Sequence, residues 1–107
     1  MSRPWTQCAE AGWAVLAGGG SAVDAVVAAA STAEADASVD SVGFGAHPDS
    51  NGETTLDAMV TDATTMSVGA VGALRSVRGA AAVARLVMRH TTHTLMVGSQ
   101  ATDLAVG

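Results

Sequence analysis

Two short helices are predicted near the start of the chain by the spacing of its apolar residues. Residues 6–17 form an apolar-rich run that ends in the glycines at 18–20, and Gly is the usual helix terminator. Ser21 then caps a second helix, with Asp24 at the position of the acid in a capping box. The second helix has one apolar face, because apolar residues follow at i, i+3, i+4 and i+7: Val23, Val26, Val27 and Ala30.

A β-hairpin is predicted next. Residues 41–47 form its first strand, and 48–52 form a turn cluster that ends in Asn-Gly. Residues 53–61 form the return strand, because their side chains alternate between two faces. Residues 62–74 are punctuated by glycine and are predicted to be irregular. One face of the return strand carries Thr55, Asp57 and Met59, and the other carries Leu56, Ala58 and Val60.

A third helix is predicted over residues 75–90, with Gly79 as a point where it can break. At roughly 100° per residue, four arginines fall within roughly 80° of one another and form a basic stripe. Such a stripe could bind an anion, but a solvated helix face is the favoured interpretation. Residues 93–97 then form a short strand, and 99–106 begin a fourth helix. The arginines are Arg75, Arg78, Arg85 and Arg89, opposite Val77, Ala80, Val83, Ala84 and Val87.

Length and composition limit the stability of this fold. The chain has 107 residues, of which 49% are apolar and only 3% aromatic, so residues 1–107 form one small domain at most. Its apolar residues are largely Ala and Val, which bury little area at about 25 cal/mol per Å². We therefore expect a thin core that gains stability from a partner surface.

The charge and the apolar runs exclude several classes of protein. A net charge of −5, with no lysine, disfavours nucleic acid and anionic membrane as partners. The apolar runs are too short to span a bilayer, and no secretory signal is visible in this chain. The single cysteine excludes an internal disulfide. The compartment stays open, with the cytoplasm as the default.

No catalytic set emerges from individual residues. The glycines at 18–20 lack the lysine of a phosphate-binding loop. His90 and His93 have the spacing of metal ligands, with Asp62 available, but they lie at a helix-to-strand junction, so a structural role is favoured. Cys8 has no activating neighbour and is expected to be a small core residue. Asp57 and Asp62 have opposite strand parity, which argues against a paired acid and base.

Four blocks of sequence together point to a known family. In their order and spacing they resemble glycosylasparaginases, which are N-terminal-nucleophile (Ntn) hydrolases of the asparaginase type 2 superfamily. The related isoaspartyl peptidase/asparaginase branch shares the helix and the Gly-Ala-Val region. The blocks are Gly20-Ser21-Ala22-Val23-Asp24-Ala25-Val26, the segment 41–59 with Ser-Val-Gly-Phe-Gly and Glu-Thr-Thr-Leu-Asp-Ala-Met, Thr65-Met66 with Val68-Gly69-Ala70-Val71-Gly72, and His90-Thr91-Thr92-His93-Thr94-Leu95-Met96-Val97-Gly98.

The resemblance implies an α+β fold that is part of an Ntn-hydrolase αββα sandwich, lacking the half that bears the nucleophile. Such enzymes arise when a precursor cleaves itself into an α and a β chain. The new N-terminal Thr of the β chain then acts as nucleophile and base. The implied reaction is hydrolysis of the amide bond between N-acetylglucosamine and asparagine, with no metal or organic cofactor, in an (αβ)2-type assembly. Family members are often periplasmic or lysosomal.

Two site residues follow from this resemblance. Ser41 matches a serine whose hydroxyl contacts the amino group of the nucleophile. Trp5 stands two residues from the position of a substrate-contacting tryptophan, which is Arg3 here, and is assigned to substrate binding. Ala46 and Ala63 replace family glycines and would be strained if those positions need a positive φ. Family acids are likewise replaced, by Ser67 and Ala73.

The expected function is therefore that of an α-chain portion. The Asp-Thr-Ile-Gly cleavage site of the family has no counterpart in the chain. We expect a hydrolase scaffold that is inactive without a β chain carrying the Thr nucleophile and that takes a glycosyl-asparagine substrate. The alternatives are a truncated, non-catalytic remnant or interaction chain, and a relative of the isoaspartyl peptidase/asparaginase branch.

Overall fold

Helices and strands are mixed along the chain. The computed structural model describes residues 4–36, 54–75 and 77–106. The predicted α+β class is confirmed. In chain order the elements are α1 (Pro4–Ala17), α2 (Ala22–Ala35), β1 (Leu56–Asp62), β2 (Ser67–Leu74), α3 (Ala80–His90), β3 (Leu95–Val97) and α4 (Gly98–Val106).

The junction between α1 and α2 follows the predicted stop and cap. Gly19 has φ of +87°, a left-handed conformation that ends α1 and that Gly adopts without steric penalty. Ser21 is the N-cap of α2, and its Oγ accepts the backbone N–H of Asp24 at 3.1 Å. The reading of 18–21 as a helix stop followed by an N-cap is therefore confirmed.

A three-stranded sheet forms in the order β1-β2-β3. The strands β1 and β2 are antiparallel and joined by a turn at residues 63–66, whereas β2 and β3 are parallel. The prediction that 62–74 is irregular is wrong, because Ser67–Leu74 is the central strand. The predicted return strand at 53–61 is found as β1. Its predicted partner, residues 41–47, lies outside the described residues.

The glycine at 69 explains why β2 was missed. Gly69 is buried where β2 passes under α3. A Cβ built there would lie 2.5 Å from the Met88 backbone nitrogen and 2.6 Å from Met88 Cβ, and it would overlap the Ala84 carbonyl oxygen. Glycine inside a strand commonly marks such a close approach of two backbones. Here it brings the sheet and the helix together and does not end a strand.

A β-bulge interrupts the pairing of β1 and β2. Leu56 pairs with Leu74 and Ala58 pairs with Val71, so two residues of β2 stand opposite Asp57 alone. One of them, Ala73, has φ of +52°, which is unfavourable for a residue with a Cβ. The Ala73 N–H donates to Asp57 Oδ1 at 2.9 Å.

One core lies between the sheet and the helices α2, α3 and α4. The alternation predicted for β1 is confirmed, because Leu56 and Val60 are buried while Asp57 and Met59 are exposed. Helix α1 packs chiefly on α2 and supplies no residue to the core. The core residues are Val23, Val27, Leu56, Val60, Val71, Leu74, Ala80, Ala81, Val83, Ala84, Val87 and Ala101.

Two sequence-based expectations need correction here. Cys8 is half-buried and lies outside the core, because α1 is separated from the sheet by α2. Helix α3 begins at Ala80, not at residue 75, because Gly79 is the N-cap and Gly propagates a helix poorly. The condition for strain at Ala63, a positive φ, is not met, since the only non-glycine residues with positive φ among those described are Met66 and Ala73.

The opposite face of the sheet is open and largely apolar. Met59 pairs with Ala70 and Ala70 pairs with Leu95, so these three side chains form a row on one face. Met59 is 70% exposed and Leu95 is 58% exposed. Val97, paired with Gly72 in the next row, is also exposed. One face of the sheet is thus covered by helices, while the other presents apolar side chains to solvent.

No helix in the described ranges combines the length and the apolar character needed to cross a membrane.

Candidate functional site

Only one of the two predicted site residues lies in the described part of the chain. Ser41 falls outside the described residues, as does Ala46. Trp5 lies in the first turn of α1 and is 64% exposed. Its indole is therefore accessible on the surface, and its role in substrate binding stays a prediction.

The strongest grouping of charged side chains joins α2 to α3. Arg85 Nη1 and Arg89 Nη2 each lie 3.0 Å from the same oxygen, Asp24 Oδ1. The side chains are 30%, 41% and 40% exposed for Arg85, Arg89 and Asp24. They border a cleft of about 410 Å³ whose wall is completed by Ala82, Leu86 and His90.

This grouping replaces the predicted basic stripe. Arg75 and Arg78 precede the first residue of α3, so the helical spacing that aligned them with the other arginines does not apply. Desolvation, the largest single influence, acts to raise the pKa of Asp24. The charge and hydrogen bond of Arg89, the hydrogen bond with Ser21 and the charge of Arg85 together outweigh it and hold that pKa below its usual range. Asp24 is therefore an ionised bridge between the two helices.

A second cavity, of about 320 Å³, lies beside a buried acid. Glu34 is only 6% exposed, and both its carboxylate oxygens accept the Ala81 N–H at 3.2 Å. Burial raises the pKa of Glu34, while hydrogen bonds from the Ala81 and Ala80 amides act in the opposite direction. The remaining lining residues are Ala30, Ala33, Asp57, Ala58, Met59 and Ala81.

Glu34 was not among the residues predicted to be functional or structural. The available signal was a single acid within an alanine-rich helix, a type of residue that is rarely fully buried unless it is paired. Its partner comes from a helix 47 residues further along the chain. We interpret Glu34 as a helix cap, because its carboxylate is used by the first turn of α3.

The other candidate groups do not form a site. His90 borders the cleft beside Arg89, and His93 is exposed. Within the described ranges no three potential ligands are grouped to hold a metal ion. Asp57 Oδ1 accepts the Ala73 N–H, whereas Asp62 Oδ1 accepts the Thr64 N–H at 3.0 Å. The two carboxylates thus serve separate backbone groups, as their parity predicted.

Comparison with known proteins identifies the scaffold. The family model described as asparaginase matches residues 1–107. The N(4)-(Beta-N-acetylglucosaminyl)-L-asparaginase of Rattus norvegicus is 52% identical over 103 residues, which cover 96% of this chain and 30% of that protein. The Mus musculus protein of the same name is 52% identical over 102 residues, covering 95% and 30%.

A relative from the other branch is somewhat less similar. The "Probable isoaspartyl peptidase/L-asparaginase 3" of Arabidopsis thaliana is 43% identical over 103 residues, covering 96% of this chain and 29% of that protein. The chain therefore spans about 30% of the length of the curated relatives it matches. The family model covers every residue, and the resemblance inferred from four sequence blocks is confirmed. This chain belongs to the asparaginase family that includes the glycosylasparaginases.

Proposed function

We propose that this chain is the α-type portion of an amidohydrolase that cleaves the amide bond between N-acetylglucosamine and asparagine. The observation that carries the proposal is the difference in identity between two relatives, each compared over 103 residues. It is 52% to the rat glycosylasparaginase and 43% to the Arabidopsis isoaspartyl peptidase/asparaginase. The sequence blocks at 41–59 favour the same branch.

We further propose that the chain is inactive alone and acts with a β chain that supplies a Thr nucleophile. The open sheet face supports this assignment, because Met59, Leu95 and Val97 expose apolar area that a second sheet would bury. A sheet covered by helices on one side and apolar on the other is one half of a layered domain. In the complete enzyme, Ser41 would orient the amino group of the nucleophile and Trp5 would contact the substrate.

The test is complementation. The purified chain is assayed on a glycosyl-asparagine analogue, first alone and then after co-expression with the remaining part of the rat relative. We expect no turnover from the chain alone and measurable turnover from the pair. Sedimentation of the active pair would report whether it is of the (αβ)2 type. Turnover by the chain alone would disprove the proposal that it needs a nucleophile from a β chain.

Matched variants make the complementation specific. Met59→Asp places a charge on the open sheet face and should abolish turnover by preventing assembly. Met66→Asp makes the same substitution in the turn between β1 and β2, where the side chain is also exposed, and serves as the control. Ser41→Ala should lower kcat with assembly retained, and Trp5→Ala should raise KM. Unchanged kinetics for both Ser41→Ala and Trp5→Ala would show that neither residue takes part in the site.

A second candidate function, hydrolysis of isoaspartyl peptides, rests on the 43% identity to the Arabidopsis protein. An isoaspartyl dipeptide assayed beside the glycosyl-asparagine analogue distinguishes the two. Preference for the dipeptide would place the chain in that branch. A well-assembled pair that hydrolyses neither substrate would favour the remaining alternative, a truncated, non-catalytic remnant or interaction chain.

A further inference from the structure

We propose that the cleft between α2 and α3, bordered by Arg85 and Arg89, binds a small oxyanion-bearing ligand in competition with Asp24. The ligand class is a phosphate, sulfate or carboxylate group on a small molecule. No residue of this cleft has a role in the proposed hydrolase function, so the two proposals can be tested separately.

The two arginines have more N–H donors than Asp24 can accept. Two guanidinium groups converge on one oxygen, Asp24 Oδ1, at 3.0 Å each. In the part of the chain that the structure describes, one nitrogen of each group makes this contact. Each guanidinium carries five N–H donors in a planar fork, a geometry that suits the paired oxygens of phosphate and carboxylate. Donors therefore remain for a second anion.

The cleft also carries an excess of positive charge. Two guanidinium cations against one carboxylate leave one positive charge at the cleft, in a chain whose net charge is −5. The first turn of α2, which begins after Ser21, adds the partial positive charge of a helix N-terminus. The last turn of α3 carries the opposite partial charge, which Arg89 offsets. The local potential thus favours anions although the whole chain repels them.

The size and lining of the cleft suit a small molecule. Its volume of about 410 Å³ falls in the range of small-molecule sites, roughly 300–1,000 Å³. Ala82 and Leu86 supply an apolar wall beside the arginines. A bare ion would not fill this space. A small organic molecule fits better, with its oxyanion held at the arginines and its apolar part against that wall.

Competition with Asp24 gives the proposal a distinctive test. Inorganic phosphate is titrated into the chain by isothermal calorimetry, with chloride at matched ionic strength as the reference, and acetate in a parallel titration to separate phosphate from carboxylate recognition. We expect Arg89→Gln to weaken phosphate binding about tenfold, as loss of a charge-assisted contact implies. We expect Asp24→Asn to strengthen it about fivefold, because both guanidiniums are released. A merely structural role for the ion pairs predicts no strengthening.

Controls separate a site from general charge. Arg78→Gln makes the same change in net charge outside the cleft, and it should leave the affinity within about twofold. Thermal unfolding followed by circular dichroism is the second measurement, because a ligand of the folded state raises Tm. Phosphate should raise Tm of the wild type more than chloride does, and Arg89→Gln should remove that difference. Equal effects of Arg78→Gln and Arg89→Gln, or no preference for phosphate or acetate over chloride, would overturn the proposal.

Discussion

Glu34, a residue of α2, caps the first turn of α3 by accepting the N–H of Ala81. Both its carboxylate oxygens accept the N–H of Ala81, in the first turn of α3, at 3.2 Å. The N-cap residue of that helix is Gly79, which has no side chain that could cap it. An acid at a helix N-terminus is favoured by the helix dipole as well as by the hydrogen bonds. This contact joins α2 to the first turn of α3.

Removing this cap should destabilise the fold. Glu34→Ala leaves the buried Ala81 N–H without its acceptor, and we expect the free energy of unfolding to fall by about 1–2 kcal/mol, the range for lost caps and unsatisfied donors. Urea denaturation followed by circular dichroism measures the change. Glu10→Ala, at an exposed acid on α1, is the matched control and should stay within about 0.5 kcal/mol of wild type. Equal effects of the two substitutions would contradict the cap.

Glu34 should also make stability depend on pH. Burial raises the pKa of Glu34 above its ordinary value of 4.5, so the folded chain binds this proton more tightly than the unfolded chain. The resulting stabilisation is complete below about pH 4.5 and is lost as pH rises through the raised pKa. We expect the stability of the wild type relative to Glu34→Gln to fall between pH 4 and pH 8. A difference that is constant, or that grows in favour of the wild type, would show that the cap outweighs burial.

Gly69 should tolerate no side chain. Gly69→Ala would force its Cβ against the backbone of α3 at Ala84 and Met88, and we expect a loss of about 2–3 kcal/mol, as for overpacked cores. Gly18→Ala is the control, because its Cβ would come no closer than 3.4 Å to the Ala14 carbonyl oxygen. Thermal melts of the two variants should therefore differ by several degrees. A near-normal melt for Gly69→Ala would mean that the strand and helix can separate freely.

Ala73 offers the opposite case, in which glycine should help. Its φ of +52° places a Cβ in the left-handed region, which is unfavourable by about 1–2 kcal/mol. After the extra chain entropy of glycine, we expect Ala73→Gly to raise the free energy of unfolding by about 0.5 kcal/mol. Ala70→Gly, on the same strand with an ordinary φ, should lower it. Denaturant titration compares the two, and a loss of stability in both would contradict the strain.

Local patterns were sufficient to predict much of this fold. Ser21 as a cap and the alternation of Leu56 and Val60 with exposed neighbours depend on residues close in sequence. The strand β2 was missed because Gly69 and Gly72 read as breaks, although Gly69 is required by a helix that comes later in the chain. The start of α3 was predicted five residues too early, because the helical spacing of the arginines extends from Arg75 past Gly79 although the helix does not.

The candidate sites depend on contacts that no local pattern contains. Asp24 was predicted as part of a capping box, and Ser21 does cap its helix, but the Asp24 carboxylate bridges to Arg85, 61 residues away. Glu34 finds its donor 47 residues away. Both pairings arise only after α2 and α3 pack on the same sheet. The family, in contrast, could be recognised from sequence because each of its blocks is a continuous segment of the chain.

The packing of α1 on α2 determines what optical spectroscopy can report about this chain. Both tryptophans, Trp5 and Trp13, lie on α1, and the chain has no tyrosine. Intrinsic fluorescence therefore follows the surroundings of one peripheral helix, while circular dichroism follows all the helices and the sheet. Because α1 contributes nothing to the core, its detachment and the global transition can occur as separate events. A fluorescence midpoint at lower denaturant than the dichroism midpoint would be the signature of that hierarchy.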